Sequence, residues 1–199
     1  MAKAHNAPAP LWLCAAVTAA LVAFAVARPA LPSLTGPRHA ARPYDSFESF
    51  WPLYISQHTE PACKLLHGVG TAHIAILSLA TGGFERLLRL ALAIAAAGSV
   101  VLPLADVFAG LRTGAAEGAV MIAVLMTFAR TFTNCSVRFL GAVLASCYFF
   151  AWISHFFIEH NRPATFLHPV YSLCGDFQML GSLLVGRIQL NSTAATGLR

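Results

Sequence analysis

Apolar residues run along this chain in long blocks separated by short polar segments, and they do not alternate with polar residues. Blocks of this kind, broken by glycine and proline, predict helices that are hydrophobic on every side. A helix needs about 20 mainly apolar residues to cross a hydrocarbon core about 30 Å thick. The pattern predicts an all-α, polytopic transmembrane bundle with about four core helices, near residues 66–82, 86–110, 117–132 and 138–160, and an interfacial helix within 163–187.

Two features should interrupt the first pair of predicted helices. Gly82 and Gly83 are expected to separate them, because glycine breaks helical patterns. Pro103 is expected to kink the second helix, because proline lacks the backbone N–H that an interior helical position needs.

A further apolar block, Leu11–Ala27, precedes the bundle and is at the short limit for a membrane span. A signal peptide, a signal anchor and an organelle-targeting extension all fit it, since arginines but no acidic residue occur before Asp45. The expected organisation is a targeting or anchor segment with a proline-rich linker over 1–44, a membrane-embedded domain over 45–187, and a disordered tail over 188–199.

Composition agrees with a membrane protein and excludes some functions. Hydrophobic residues make up 57% of the chain and charged residues only 11%, against roughly 25% charged residues in soluble domains. The net charge of +5 comes from lysines and arginines scattered between apolar blocks, with no basic patch interleaved with aromatics, so no nucleic-acid partner is expected. These cations are typical of topology determinants and interface anchors. The five cysteines form no CxxC pair, which argues against a zinc knuckle.

Eight histidines are many for so apolar a chain, and several flank the predicted helices. Ionisable groups at membrane depth are costly and usually functional. His155 and Glu159, four residues apart, would share one face of a helix. With His58 and His67 they would supply three imidazoles and one carboxylate, a donor set that suits non-haem Fe(II). The alternative is that each is an ordinary hydrogen-bonding residue at the interface.

An even number of crossings between His67 and His155 would let the two polar segments meet. Four helices, or two, return the chain to the membrane face from which it entered, and an odd number would separate the segments. The distribution of lysine and arginine favours a cytosolic site only weakly.

Two sets of residues resemble the signatures of a known family, the 2-hydroxy fatty acid dioxygenases of the endoplasmic reticulum and their bacterial relatives. The first set is Trp51-Pro52-Leu53-Tyr54, His58, Pro61, Leu66-His67 and Gly70-Thr71. The second is Ala151-Trp152-Ile153, His155-Phe156, Glu159, Asn161-Arg162-Pro163-Ala164-Thr165-Phe166, Pro169, Ser172-Leu173, Gly175-Asp176-Phe177 and Met179. Both sets occur in order and are separated by apolar helices, which makes the resemblance specific.

The resemblance implies an Fe(II)-dependent enzyme that uses O₂ to shorten a long-chain 2-hydroxy fatty acid by one carbon, in the breakdown of phytosphingosine. It implies His58, His67, His155 and Glu159 as metal ligands, and a multi-pass location in the endoplasmic reticulum or another organelle membrane. Arg162 could pair with the substrate carboxylate or anchor the chain at the interface. Asp176 could orient a ligand histidine or cap the tail helix.

Two other functions stay open. Di-iron lipid hydroxylases carry HxxxH and HxxHH boxes, and neither occurs here. A non-catalytic membrane scaffold or lipid-binding protein of the same fold would bind no metal. The roles of His73, His160 and His168 are left undecided by the sequence.

Overall fold

The computed structural model describes residues 7–27 and 33–190, and this part of the chain is helical with no strand. Seven α-helices occur within it: α1 (Leu11–Ala27), α2 (Phe47–Ser56), α3 (Pro61–Val101), α4 (Leu104–Val107), α5 (Ala115–Thr133), α6 (Val137–Ile153) and α7 (Pro169–Leu184). A π-helix (Ser154–Glu159) continues α6, and a 3₁₀ turn (Ala164–Phe166) precedes α7. The predicted all-α class is confirmed.

Within the described residues, three helical stretches are long and apolar enough to cross a membrane: Pro61–Val107, Ala115–Thr133 and Val137–Glu159. Large apolar side chains lie exposed on the outer faces of the helices, as a lipid-facing surface requires, among them Ile76, Phe84, Phe149 and Phe157. The chain is therefore a membrane protein by the length, composition and surface of its helices.

α3 reverses direction at Gly83, whose φ of 66° and ψ of −167° are not helical. Only glycine adopts this conformation without strain. A straight helix of 41 residues would extend about 60 Å, yet Val101 at its end packs in one cluster with Phe50 and Tyr54 of α2, which immediately precedes α3. The break predicted at Gly82 and Gly83 is thus confirmed, and α3 forms two antiparallel arms.

Pro103 ends a helix where a kink was expected. α3 stops at Val101 and the short α4 follows Pro103, because proline offers no N–H to continue the hydrogen-bond ladder. α3 also begins earlier than predicted, at Pro61, with Glu60 as its N-cap. Proline in the first turn is favourable, since the N–H groups there have no partner within the helix.

The segment over 33–44, predicted to be a linker, has no regular structure but is docked on the bundle. The backbone N–H of Leu34 donates to the carbonyl of Val107, and that of His39 donates to Ala109. The Arg42 guanidinium, expected at the interface, is buried and ion-paired with Glu117 of α5. A cation in an apolar interior needs such a partner, so Arg42 belongs to the core.

α1 packs on the second arm of α3. The hydroxyl of Thr18 donates to the carbonyl of Leu92 at 3.2 Å, and Cys14 forms a small cluster with Ala96 and Phe132. The opposite side of α1, with Trp12, is exposed. Whether this segment is cleaved stays a prediction.

The chain after residue 163 forms α7, which packs on α2, α3 and α5. Met179 and Tyr171 are buried in the same cluster as Phe50 and Tyr54. Beyond α7, Ile188 is also buried in that cluster. Most of the predicted disordered tail, residues 191–199, lies outside the described residues.

Candidate metal centre

Three imidazole rings meet at the end of the bundle where α2, α3 and the π-helix come together. The ring centroids of His58 and His67 are 4.4 Å apart, those of His58 and His155 4.8 Å, and those of His67 and His155 5.1 Å. Their exposed fractions are 1%, 5% and 3% respectively. The fold thus brings together the three histidines that the sequence predicts as ligands, although His155 is nearly 90 residues away along the chain.

His58 lies in the turn between α2 and α3. Its Nδ1 is 2.6 Å from the carbonyl oxygen of Tyr54, in the last turn of α2, and this oxygen also accepts from the backbone N–H of Gln57 at 3.2 Å. A carbonyl only accepts hydrogen bonds, so Nδ1 carries the hydrogen and Nε2 keeps its lone pair.

His67 is held in the same way by Asp176 of α7. Its Nδ1 is 2.7 Å from Asp176 Oδ1, and the phenol of Tyr54 donates to the same oxygen at 2.6 Å. Tyr54 therefore supports two of the three histidines. Its carbonyl contacts His58 directly, and its hydroxyl contacts the Asp176 carboxylate that holds His67. Burial, with the nearby Asp176 carboxylate second, raises the pKa of Tyr54 well above its ordinary value, so the phenol keeps its proton and donates.

His155 lies in the π-helix, a form that occurs frequently at functional sites. Its Nδ1 is 2.7 Å from Asn161 Oδ1. The amide of Asn161 is oriented because its Nδ2 donates to the Gln57 carbonyl at 3.0 Å. The π-helix ends at His160, whose φ of 50° is left-handed, and this places Asn161 next to His155.

The three Nδ1 atoms thus all face acceptors, which leaves the three Nε2 atoms as electron-pair donors. Among the described residues, the Nε2 atoms of His58 and His67 are buried and have no hydrogen-bond partner. A buried polar atom without a partner costs about 1–3 kcal/mol. A bound metal ion would satisfy these atoms, so the donor set fits a metal, as expected where a ligand histidine donates its other N–H to a fixed acceptor.

The charge state of His58 also fits. Burial, followed by the neighbouring His67 and His155, lowers the pKa of His58 well below its ordinary value. The ring is therefore neutral, and neutral imidazole is the form that binds metal.

Cys63 is a fourth possible donor that the sequence analysis missed. Ligand atoms of His58, Cys63 and His67 all lie within 4.8 Å of one another, and all three residues are buried. The thiol of Cys63 lies 3.4 Å from the hydroxyl of Ser154, to which it donates. The spacing of four residues between Cys63 and His67 puts both on one helix face, and this was the available signal.

Glu159 is placed beside the cluster and contacts the turn that carries His58. Its Oε2 accepts from the Thr59 hydroxyl at 2.9 Å, and its Oε1 accepts from the backbone N–H of Glu60 at 2.7 Å. Both carboxylate oxygens therefore hold the turn that precedes α3. The role of Glu159 as a direct metal ligand stays a prediction.

Arg162 is placed on another side of the π-helix. Its guanidinium carbon lies 5.1 Å from the centroid of Phe166, and its side chain lines a groove between α5 and α6 that also includes Tyr148 and Trp152. Pairing of Arg162 with a substrate carboxylate stays a prediction.

Two further histidines have structural partners. His73 Nδ1 faces the carbonyl of Gly70, and its Nε2 faces the hydroxyl of Ser146, each at 2.7 Å. His168 is buried beside Tyr171, whose ring is nearly parallel to its own. Burial, with two nearby arginines second, lowers the pKa of His168 to about 4.

A family model described as 2-hydroxy-palmitic acid dioxygenase Mpo1-like matches residues 44–188. The match covers well over half of the 199 residues, so the chain belongs to the Mpo1-like family. No curated protein and no solved structure matches the chain. The family expected from the two signatures is confirmed, and its name points to dioxygenase activity on a 2-hydroxy fatty acid.

Proposed function

We propose that this protein is an Fe(II)-dependent dioxygenase that shortens long-chain 2-hydroxy fatty acids by one carbon. The observation that carries the proposal is the cluster of three buried imidazoles whose Nδ1 atoms are all turned to acceptors. Nitrogen ligands of this kind suit non-haem iron. The family match supplies the substrate class.

In this proposal His58, His67 and His155 hold the iron through Nε2. The bound ion would supply Lewis acidity and reactivity toward O₂, because protein ligands of this number would leave room for the substrate. Tyr54, Asp176 and the His155 partner Asn161 fix the tautomers of the ligands. Glu159 holds the His58 turn against the π-helix.

The polar end of the substrate fits the small cavity beside His67. Its polar lining is His67, Thr71, Tyr148 and Asp176, and the rest of its wall is mainly apolar. The reaction balances with one O₂ per acid: the carboxyl carbon leaves as CO₂, the carbon that bore the hydroxyl becomes the new carboxyl, and one water forms. The alkyl chain takes no part in the chemistry and can remain in an apolar environment.

The test is anaerobic purification of the full chain in detergent, addition of Fe(II), and turnover of 2-hydroxy-palmitic acid. We expect one O₂ consumed for each acid shortened by one carbon. His67→Ala should lose both bound iron and turnover, whereas the matched variant His73→Ala, on the same arm of α3, should keep both. If the iron-loaded protein shows no oxygen uptake and forms no shortened product, the proposed activity is refuted.

Metal content separates the remaining alternatives. One iron per chain supports the proposal, two irons would indicate a di-iron hydroxylase, and a fully folded protein that binds no metal would indicate a scaffold. A sulfur ligand favours softer metals such as zinc, so Cys63→Ser provides a second comparison. We expect this variant to retain iron, and loss of the metal would place Cys63 in the ligand set.

A further inference from the structure

Two adjacent cavities lie inside the bundle, and one of them borders the histidine cluster. The first is lined by His67 and Asp176, and the second extends along the two arms of α3. They share five lining residues, namely Ile74, Leu144, Cys147, Leu173 and Phe177. The two cavities are therefore neighbours separated only by side chains, and we call the pair the internal channel.

The channel is polar at one end and almost wholly apolar beyond it. His67, Thr71 and Asp176 line the near end. The far part is lined mainly by apolar side chains such as Leu77 and Leu90, with Arg86 among its few polar residues. A lipid acid has the same distribution, with its polar atoms at one end. Ligand sites of this kind are mainly apolar, with a few polar groups that fix orientation.

The length of the channel matches a membrane-lipid chain. Its wall on the first arm of α3 extends from His67 to Ser78, which is about 16 Å at about 1.5 Å per residue. One leaflet of a bilayer is about 15 Å of hydrocarbon, half of the full core. The two cavities are small, with volumes of ≈ 60 and ≈ 110 Å³. An entering alkyl chain therefore displaces side chains such as Ile74 and Leu144, which line both cavities.

A second apolar site offers an alternative position for the alkyl chain. The groove between α5 and α6 is larger, ≈ 920 Å³, and carries Arg162 near one end. Tyr148 and Leu144 line both this groove and the cavity at His67. None of the three clustered histidines lines the groove, so a chain lying there would not continue directly from the proposed metal.

We propose that the internal channel binds the alkyl chain of the substrate, with Leu77 and Leu90 beside its terminal carbons. This inference rests on the proposed function for the identity of the acid. In this proposal the two arms of α3 select the chain length of the substrate, because the channel between them limits how many methylene groups fit.

Photocrosslinking tests the placement without requiring turnover. The probe is 2-hydroxy-palmitic acid with a diazirine at its terminal carbon, added in the dark to the full chain in nanodiscs and then irradiated. We expect label on the second arm of α3, at or near Leu90, and its loss when unlabelled 2-hydroxy-palmitic acid is added. We call label that is lost on addition of the unlabelled acid competed label. Competed label on Ala119 or Ala145 of the groove would overturn the proposal, and so would the absence of any competed label.

A matched pair of variants tests chain-length selection. Leu77→Trp fills the channel, whereas Ile76→Trp adds the same bulk at the neighbouring position, which is 63% exposed on the outer face. In Leu77→Trp we expect a shorter preferred acid, with relative kcat/KM for longer acids falling about tenfold for each methylene excluded. Ile76→Trp should keep the original profile. Identical profiles for the two variants would contradict the channel.

The two proposals fail in different ways. Competed label in the channel without oxygen uptake by the iron-loaded protein would remove the dioxygenase activity and leave the binding site. Turnover with competed label in the groove would retain the activity and remove the channel.

Discussion

A methyl group added at Gly175 should disturb the candidate metal centre through Tyr54, whose ring atoms are the ones nearest to it. A Cβ built there would lie 2.5 Å from Tyr54 Cε2, 2.6 Å from Cδ2 and 2.8 Å from Cζ. Carbon atoms pack at about 3.5–4.0 Å, so the ring must move by about 1 Å. Tyr54 is fully buried and has little room to move.

Two effects follow for Gly175→Ala. Overpacking of a buried site costs about 1–3 kcal/mol of stability. A ring shift of about 1 Å would also break the 2.6 Å hydrogen bond from Tyr54 to Asp176, which helps to orient His67. Loss of such a supporting contact typically lowers metal affinity about 10–100-fold.

Gly181→Ala is the matched control, because it lies on the same helix and a Cβ there has nothing within 4 Å. Alanine in a helix is more stable than glycine by about 0.5–1 kcal/mol, so this variant should be slightly more stable than the parent. Thermal unfolding in detergent and Fe(II) titration measure the two effects. Equal stability and equal iron affinity of the two variants would refute the proposed role of Gly175 in positioning Tyr54.

Three further changes probe the site and its support. His155→Gln should lower Fe(II) affinity at least about tenfold, whereas His73→Gln should leave it unchanged; equal effects in a metal titration would contradict the ligand assignment. Arg42→Leu should cost about 3–5 kcal/mol because it strands the buried Glu117 carboxylate, and adding Glu117→Leu should recover part of the loss in urea or thermal unfolding; a double variant less stable than the single one would contradict the pairing. Burial lowers the pKa of His168 to about 4 in the folded protein, against about 6.5 in the unfolded chain. Between these pH values the unfolded chain therefore binds more protons than the folded one. The free energy of unfolding should fall as the pH drops from 6.5 to 4, by about 3 kcal/mol in total. His168→Phe should remove that part of the pH dependence, and an unchanged difference in melting temperature between pH 7 and pH 5 would contradict it.

Much of the helical architecture was predictable because its causes are local. Long apolar blocks without alternation specify membrane-length helices whatever their neighbours are. The reversal at Gly83 was likewise visible, since a glycine pair in an apolar block marks a break. The predicted helix boundaries were less accurate. α3 begins at Pro61, several residues before the apolar block from which it was predicted. The chain after Pro103 forms a separate short helix.

The candidate ligands were predictable for a related reason. Histidines in the polar segments stand out because ionisable groups are costly beside apolar helices and are usually functional. The family resemblance then pointed to His58, His67 and His155 among them. The sequence could not decide how they are held. Glu159, predicted as a ligand, accepts hydrogen bonds from Thr59 and Glu60, and neither contact follows from its spacing to His155.

The sequence by itself thus determined an all-α membrane bundle and the three imidazoles, because hydrophobic length and the rarity of ionisable groups are properties of short segments. Only the tertiary structure decided the tautomers, the position of Cys63 beside the histidines, and the buried pair of Arg42 and Glu117. Each depends on atoms from distant segments: His67 and Asp176 are more than 100 residues apart, yet their side chains are 2.7 Å apart. Hydrogen bonds require such distances to within a few tenths of an ångström, and periodicity along a chain carries no information at that scale.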